Sequence, residues 1–211
     1  MTNLQKRILT SIVILPLSIF FIAKGGYFLI FFLIFILFAG IHELSTSFKR
    51  NKTILYLTTI LILSLLSIYY LRSTSDDTEA LLYLVIALCI SSDIGGYIFG
   101  KIFKWKKLSK LSPKKTISGV FGSYFFSIIC LIIFTEFYFS KFHLSLNSLL
   151  LAIIFSTVAQ AGDLLISYFK RLEKIKDTGK ILPGHGGIFD RIDGLMFVII
   201  LAFTGSLFFG I

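Results

Sequence analysis

Residues 27–42 read YFLIFFLIFILFAGIH, an uninterrupted apolar run with no charged side chain before His42. Nothing in it alternates, so it suits a helix that is apolar on every face and does not suit a strand of a membrane barrel. A helix needs about 20 residues at about 1.5 Å rise to cross a hydrocarbon core about 30 Å thick. Working outward, the same pattern recurs and predicts spans near 8–23, 27–42, 53–71, 80–100, 119–139, 147–168 and 194–211. Apolar residues make up 56% of the chain and the mean hydropathy is +0.90, beyond the apolar share of a soluble domain. The expected fold class is therefore all-α: a polytopic integral membrane bundle of about seven transmembrane helices. Gly25-Gly26 supplies a tight turn that should make the first two spans a hairpin. No internal repeat or long linker divides the chain. It reads as one membrane domain, 1–211, with an N-terminal three-helix part, 1–79, expected on the lipid-tail side, and a catalytic part, 80–211.

The net charge of +10 would suggest nucleic acid in a soluble chain, so its placement matters. With seven spans, 18 of the 21 Lys and Arg residues fall on one side and only Lys24, Arg72 and Lys141 on the other. The positive-inside rule then puts the N-terminus in the cytoplasm. Basic charge here serves topology and attraction to anionic lipid, and no nucleic-acid partner is expected. The first apolar run ends in Ala23-Lys24-Gly25-Gly26 without an A-x-A site, so it reads as an uncleaved helix. Cys89 and Cys130 lie inside spans and read as packing residues, not as a disulfide or metal pair.

Between the last two spans runs SYFKRLEKIKDTGKILPGHGGIFDRID, residues 167–193. It gathers Lys170, Arg171, Lys176 and Lys180 with Asp177, Asp190 and Asp193, and sets Gly184, Gly186 and Gly187 around His185. Cations, a glycine-rich loop and clustered carboxylates are what a site needs to hold polyphosphate and a divalent cation. Two aspartates, Asp93 and Asp163, fall inside spans about 20 Å from the outer face, so they could meet at one depth. An intramembrane Asp costs about 2.5–3.5 kcal/mol at mid-bilayer, and such residues usually line a polar cavity. Asp163, Ser167 and Lys170 stand at i, i+4 and i+7 and form one helical stripe. Asp190 and Asp193, at i and i+3, face one side if the last helix starts near Phe189, where a cation could bridge them. The glycine loop can turn backbone N–H groups toward phosphate just ahead of a helix N-terminus. His185 suits a hydrogen-bonding role better than that of a general base, and His42-Glu43, which lacks the second His of a zinc motif, reads first as a capped helix end and secondarily as lining for the site.

Stretch 167–193 also resembles the hallmark of the phosphatidate cytidylyltransferases, S-x-x-K-R, K-D, then H-G-G-x-x-D-R-x-D. The matching positions are Ser167, Lys170, Arg171, Lys176, Asp177, Leu182, Pro183, His185, Gly186, Gly187, Asp190, Arg191 and Asp193. A second block, residues 92–119, is similar to the family's upstream S-D…S-P-x-K-T region, with Asp93, Lys114 and Thr116 matching. It departs from the family pattern at Ser118, usually Glu, and at Gly96, usually Ala. Together the blocks cover roughly the C-terminal 60% of the chain.

The resemblance implies the reaction CTP + phosphatidate → CDP-diacylglycerol + pyrophosphate, at a site facing the cytoplasm of a bacterial inner membrane. Mg²⁺, with Mn²⁺ as a substitute, fits that task and is expected on Asp163, Asp190 and Asp193, with Asp93 or Asp177 in reserve. Lys170, Asp163, Asp193 and His185 are then the catalytic candidates. Ser167, Arg171, Lys176, Asp177, Gly186, Gly187, Arg191, Lys114 and Thr116 are the candidates for holding substrate. A homodimer is compatible with this reading. A cytidylyltransferase or kinase acting on another lipid phosphate or isoprenoid lipid is the nearest rival. A transporter would show inverted repeats or paired broken helices, which the sequence lacks.

Overall fold

The computed structural model describes residues 3–109, 112, 115–137, 144–179, 181 and 186–209. They form seven helices: α1 Asn3–Lys24, α2 Gly26–Ser47, α3 Asn51–Ser73, α4 Asp76–Phe103, α5 Ile117–Phe137, α6 Leu146–Leu172 and α7 Phe189–Phe209. Among the described residues there is no strand, only one antiparallel bridge between Lys107 and Thr116. Six helices, α2 to α7, are long and apolar enough to cross a membrane, and α1 carries a shorter apolar run, Ile12–Lys24. Phe31, Phe35, Phe38, Leu55 and Ile133 all stand exposed on the bundle's outside, where lipid tails solvate them. The protein is an integral membrane helical bundle.

The chain reverses between successive helices, so helix ends collect at two poles. At one pole Gly25 and Gly26 take positive φ values of 63° and 51°, which lets α1 fold straight back on α2. Phe21 stacks on Phe32 across that hairpin, with ring centroids 5.1 Å apart. Arg72 locks the same pole, donating to the Ile22 and Ala23 carbonyls at 2.8 Å and to Glu79 Oε2 at 2.7 Å. Ser75 and Ser145 start α4 and α6 there, each accepting from the backbone N–H three residues on at 3.2 Å. Those bonds satisfy donors that a helix start leaves open.

Lipid tails are as apolar as leucine, so helices in a bilayer associate through close packing and hydrogen bonds. The α4–α5 pair uses glycine for this. A Cβ at Gly96 would stand 2.7 Å from Ser123 Oγ, and one at Gly119 would stand 2.9 Å from the Gly96 carbonyl. An alanine at 96 would therefore require the Ser123 hydroxyl to move. Ser92 and Ser156 join α4 to α6 through a 2.8 Å hydroxyl contact, and Ser123 Oγ donates to the Ser92 carbonyl at 2.8 Å.

Two packed clusters fill the interior. One joins Leu82, Val85 and Leu88 of α4 to Leu131, Phe155, Val198 and Ile199. The other joins Leu29 and Leu44 of α2 and Leu57 and Leu61 of α3 to Ile166, Phe189 and Met196. Helix α7 belongs to both, so its placement couples the N-terminal helices to the rest of the bundle. The α7 helix begins at Phe189, five residues before the apolar span expected from 194. The cause is hydrogen bonding to its first turn, described next.

Candidate active site

At the pole opposite Gly25, charged side chains from the segment before α5, from α6 and from α7 form one continuous chain in which a carboxylate pair sits between two lysines. Lys115 Nζ is ion-paired with Asp163 Oδ2. Asp163 is a hydrogen-bonding neighbour of Asp193. Asp193 Oδ2 lies 4.0 Å from Lys170 Nζ, which in turn lies 2.9 Å from Asp190 Oδ1. Ser167 Oγ donates to Asp163 Oδ1 at 3.4 Å, so the expected stripe Asp163, Ser167, Lys170 does face inward together. Lys170 is only 8% exposed. A buried ammonium of this kind is tolerable because carboxylates on α7 surround it.

Asp190 has a second job. Its Oδ2 accepts from Thr178 N at 2.7 Å and from Gly187 N at 3.0 Å, so the carboxylate ties the polar loop back onto the start of α7. Gly186 sits in this knot at φ 86°, and a Cβ there would stand 3.0 Å from Asp190 Oδ2. Glu43, at the end of α2 and 1% exposed, completes it. Its Oε1 accepts from Ile188 N at 2.9 Å and its Oε2 from Phe189 N at 3.0 Å. Carboxylates placed at the positive end of a helix dipole both cap and stabilise it.

Beside the charge chain lies a cleft of about 270 Å³ between α4, α5 and α6, lined by Asp93, Gly96, Tyr97, Lys115, Thr116, Gly119, Ser123 and Gln160 among others. Thr116 Oγ1 accepts from Gly119 N at 3.1 Å and contacts Ser118 Oγ at 3.0 Å, so it caps α5 where that helix meets the cleft. Ser118, where the family pattern has Glu, is buried in that cap. The register here is fixed by Leu108 N bonding to the Lys115 carbonyl at 2.8 Å and Ile117 N to the Lys106 carbonyl at 3.0 Å.

Asp163, Asp190, Asp193 and Asp93 do not gather as one metal cage, and no such group of three forms among the described residues. Asp190 is occupied by Lys170 and two backbone amides, and Asp93 opens on the cleft instead. Asp163 and Asp193 remain as a contacting pair. Two like-charged carboxyls side by side favour positive charge near them, which Lys115 and Lys170 supply in part, and Mg²⁺ ordinarily uses one or two carboxylates plus phosphate oxygens. This donor set fits the ion.

Gly187 is buried and gives its N–H to Asp190, so it does not offer that group to a phosphate. Arg171 turns its guanidinium to the Ile175 carbonyl at 2.9 Å, bracing its own loop. Lys176, Asp177 and Arg191 are exposed at the rim, with the Asp177 side chain packed over Gly186. Lys114 and His185 lie outside the described residues. Sequence reasoning missed Lys115 as the partner of Asp163, although it adjoins Lys114 in the same block. It read Glu43 first as part of a capped helix end and only secondarily as lining for the site, and did not connect it to α7.

The sequence that builds this site has relatives among known proteins. The cytidylyltransferase family model matches residues 52–209, three quarters of the chain. The chain belongs to the cytidylyltransferase family. It is similar to the phosphatidate cytidylyltransferase of Rickettsia typhi, 35% identical over 222 aligned positions that take in 99% of this chain and 92% of that protein. It is also similar to the phosphatidate cytidylyltransferase of Staphylococcus haemolyticus, 43% identical over 133 residues, 62% of this chain and 50% of the relative. The Staphylococcus epidermidis protein of the same name is 40% identical over the same length and shares. The chain thus spans about half the length of the staphylococcal relatives. The family match covers Lys115, Asp163, Lys170, Asp190 and Asp193 but begins after Glu43.

Proposed function

We propose that this protein transfers the cytidylyl group of CTP to phosphatidate, giving CDP-diacylglycerol and pyrophosphate. The observation that carries the reading is the chain Lys115–Asp163–Asp193–Lys170–Asp190 beside a cleft that opens at the start of α5. Two cations separated by a contacting carboxylate pair suit a reaction in which negative charge is redistributed among phosphates. The resemblance of residues 167–193 to the family hallmark, and the activity for which the relatives are named, point the same way.

In the proposed step an anionic phosphatidate oxygen attacks the α-phosphorus of CTP in line. A new P–O bond forms there as the bond to the β-phosphate oxygen breaks, and pyrophosphate departs with that electron pair. The nucleophile is already ionised, so no side chain is needed to remove a proton. Such transfers depend on positioning and charge neutralisation. Lys115 neutralises charge on the cleft side and Lys170 on the α7 side. Thr116 and the start of α5 favour phosphate by helix-dipole and hydroxyl contacts. Mg²⁺ bound by Asp163 and Asp193, with Mn²⁺ as a substitute, would add charge neutralisation on phosphate oxygens. The charge asymmetry of the connecting segments supports a site on the cytoplasmic side of a bacterial plasma membrane, where CTP is present. The acyl chains stay in the bilayer along the N-terminal helices.

The test is to incubate the purified full chain, in bilayer discs, with labelled CTP and a panel of phosphatidate, isoprenoid phosphates and unphosphorylated diacylglycerol. The reading expects a labelled liponucleotide from phosphatidate alone. Preferential reaction of an isoprenoid phosphate or of diacylglycerol would overturn it.

A further inference from the structure

Glu43 stands 145 positions before Ile188, to which it hydrogen-bonds, and belongs to the N-terminal helices, not to the hallmark. Four observations converge on it. Its carboxylate is buried and spends one oxygen on each of two consecutive backbone amides, Ile188 N at 2.9 Å and Phe189 N at 3.0 Å. Those amides open the helix that carries Asp190 and Asp193 one turn later. Space around the carboxylate is kept by glycine: a Cβ at Gly179 would stand 2.6 Å from Glu43 Oε1, and one at Gly187 would press on Glu43 and stand 2.6 Å from Thr178 Oγ1. Finally, Ser47, one helical turn after Glu43 on α2, donates to the Thr178 carbonyl, tying the same loop to the same helix.

A carboxylate buried this deeply costs a great deal unless its hydrogen bonds are satisfied. Here, among the described residues, its partners are backbone amides at the positive end of α7. If the purpose were only to cap a helix, a local Ser, Asp or Asn ahead of Phe189 would do so at less cost. Using Glu43 instead makes the position of the α7 start depend on α2. Asp190 then hands that position to Lys170, and Lys170 to Asp193.

We propose that Glu43 is a positioning residue for the cytidylyl transfer, setting the height and rotation of Asp193 and Lys170 through the first turn of α7. The proposal rests on the function argued above, and it separates the roles of the two sides of the site. Loss of Glu43 disturbs the α7 side and leaves the cleft residues Thr116, Gly119 and Gln160 where they are. The defect should therefore fall on turnover and spare the KM for CTP.

The experiment uses the full chain in bilayer discs with two readouts. In Glu43→Ala, turnover per folded molecule is expected to fall at least about tenfold while the KM for CTP stays within about threefold. Glu43→Gln keeps one acceptor oxygen but sets its NH2 group against the second backbone N–H, so it is expected to recover only part of that loss. Amide hydrogen exchange at Ile188 and Phe189 is expected to quicken in Glu43→Ala, with the middle of α2 and α3 unchanged. If Glu43→Ala does not insert, Gly187→Ala, which presses on the same carboxylate, should give the same kinetic pattern. Wild-type turnover in Glu43→Ala or Gly187→Ala, or unchanged exchange at Ile188 and Phe189, overturns the proposal. Exchange does not depend on turnover, so a wild-type protein that fails to use CTP would refute the proposed function and still leave the positioning contact measurable.

Discussion

Lys170 Nζ lies 2.9 Å from Asp190 Oδ1, joining residues twenty positions apart across the polar loop between α6 and α7. The ammonium is buried and Asp193 Oδ2 is its other acidic neighbour, at 4.0 Å. Lys170 is therefore the point at which the two helices carrying the acidic residues are held in register, as well as a cation available to phosphate.

Lys170→Ala should cost both stability and activity. Removing one partner of a buried ion pair leaves an uncompensated charge, a loss of about 3–5 kcal/mol. Thermal unfolding of the purified variant should drop clearly against wild type, and turnover should vanish. Lys174→Ala, an exposed lysine two residues past the end of α6, serves as the control and should change neither. Equal unfolding temperatures for Lys170→Ala and wild type would contradict the structural half of this account.

Asp163→Asn and Asp193→Asn should insert and purify normally but retain less than about a tenth of wild-type turnover, a loss above about 1.4 kcal/mol in barrier height. Their role is to present paired negative charge, which an amide does not supply. Both variants working at near wild-type rates would remove the pair from the site. Asp190→Asn should differ by destabilising the loop as well, because Oδ2 organises the amides of Thr178 and Gly187.

The seven helices were legible because each apolar run carries its own length and composition, and the Gly25-Gly26 hairpin because two glycines leave few other options there. The stripe Asp163, Ser167, Lys170 was legible for a similar reason, since helical spacing alone brings it to one face. What could not be read depends on distant partners. The start of α7 is moved forward by Glu43, which no local pattern connects to Phe189. The pairing of Lys115 with Asp163 goes with the bridge between Lys107 and Thr116, a contact that spacing does not reveal. Asp190 looked like a free ligand because its three hydrogen-bond partners come from α6, the loop and the residue before Ile188.

Activity should require a divalent cation. Chelation should abolish turnover and Mg²⁺ should restore it, with Mn²⁺ able to substitute because both prefer oxygen ligands. In Asp163→Asn or Asp193→Asn the Mg²⁺ concentration giving half-maximal rate should rise for any residual activity. Full turnover in chelator would refute a metal-assisted reaction.

The loops 101–115 and 173–188 should both face the cytoplasm. Lys107→Cys and Lys174→Cys, made in a background lacking Cys89 and Cys130, are exposed at that pole and should resist an impermeant thiol reagent in intact cells. They should label once the membrane is opened. Asp76→Cys, at the exposed start of α4 on the other pole, should label from outside. The reverse pattern would invert the orientation and close the proposed route for CTP.

The central claim is that the lipid receives the α-phosphate of CTP, and the position of a radiolabel tests it most directly. CTP labelled at the α-phosphate and CTP labelled at the γ-phosphate are each incubated with phosphatidate and the full chain, and the lipid and aqueous phases are counted separately. The account expects the α label in the lipid phase as CDP-diacylglycerol and the γ label in water as pyrophosphate, released in equal amounts. Lipid carrying the γ label would identify a kinase, and lipid carrying neither label would contradict the assignment of this site to cytidylyl transfer.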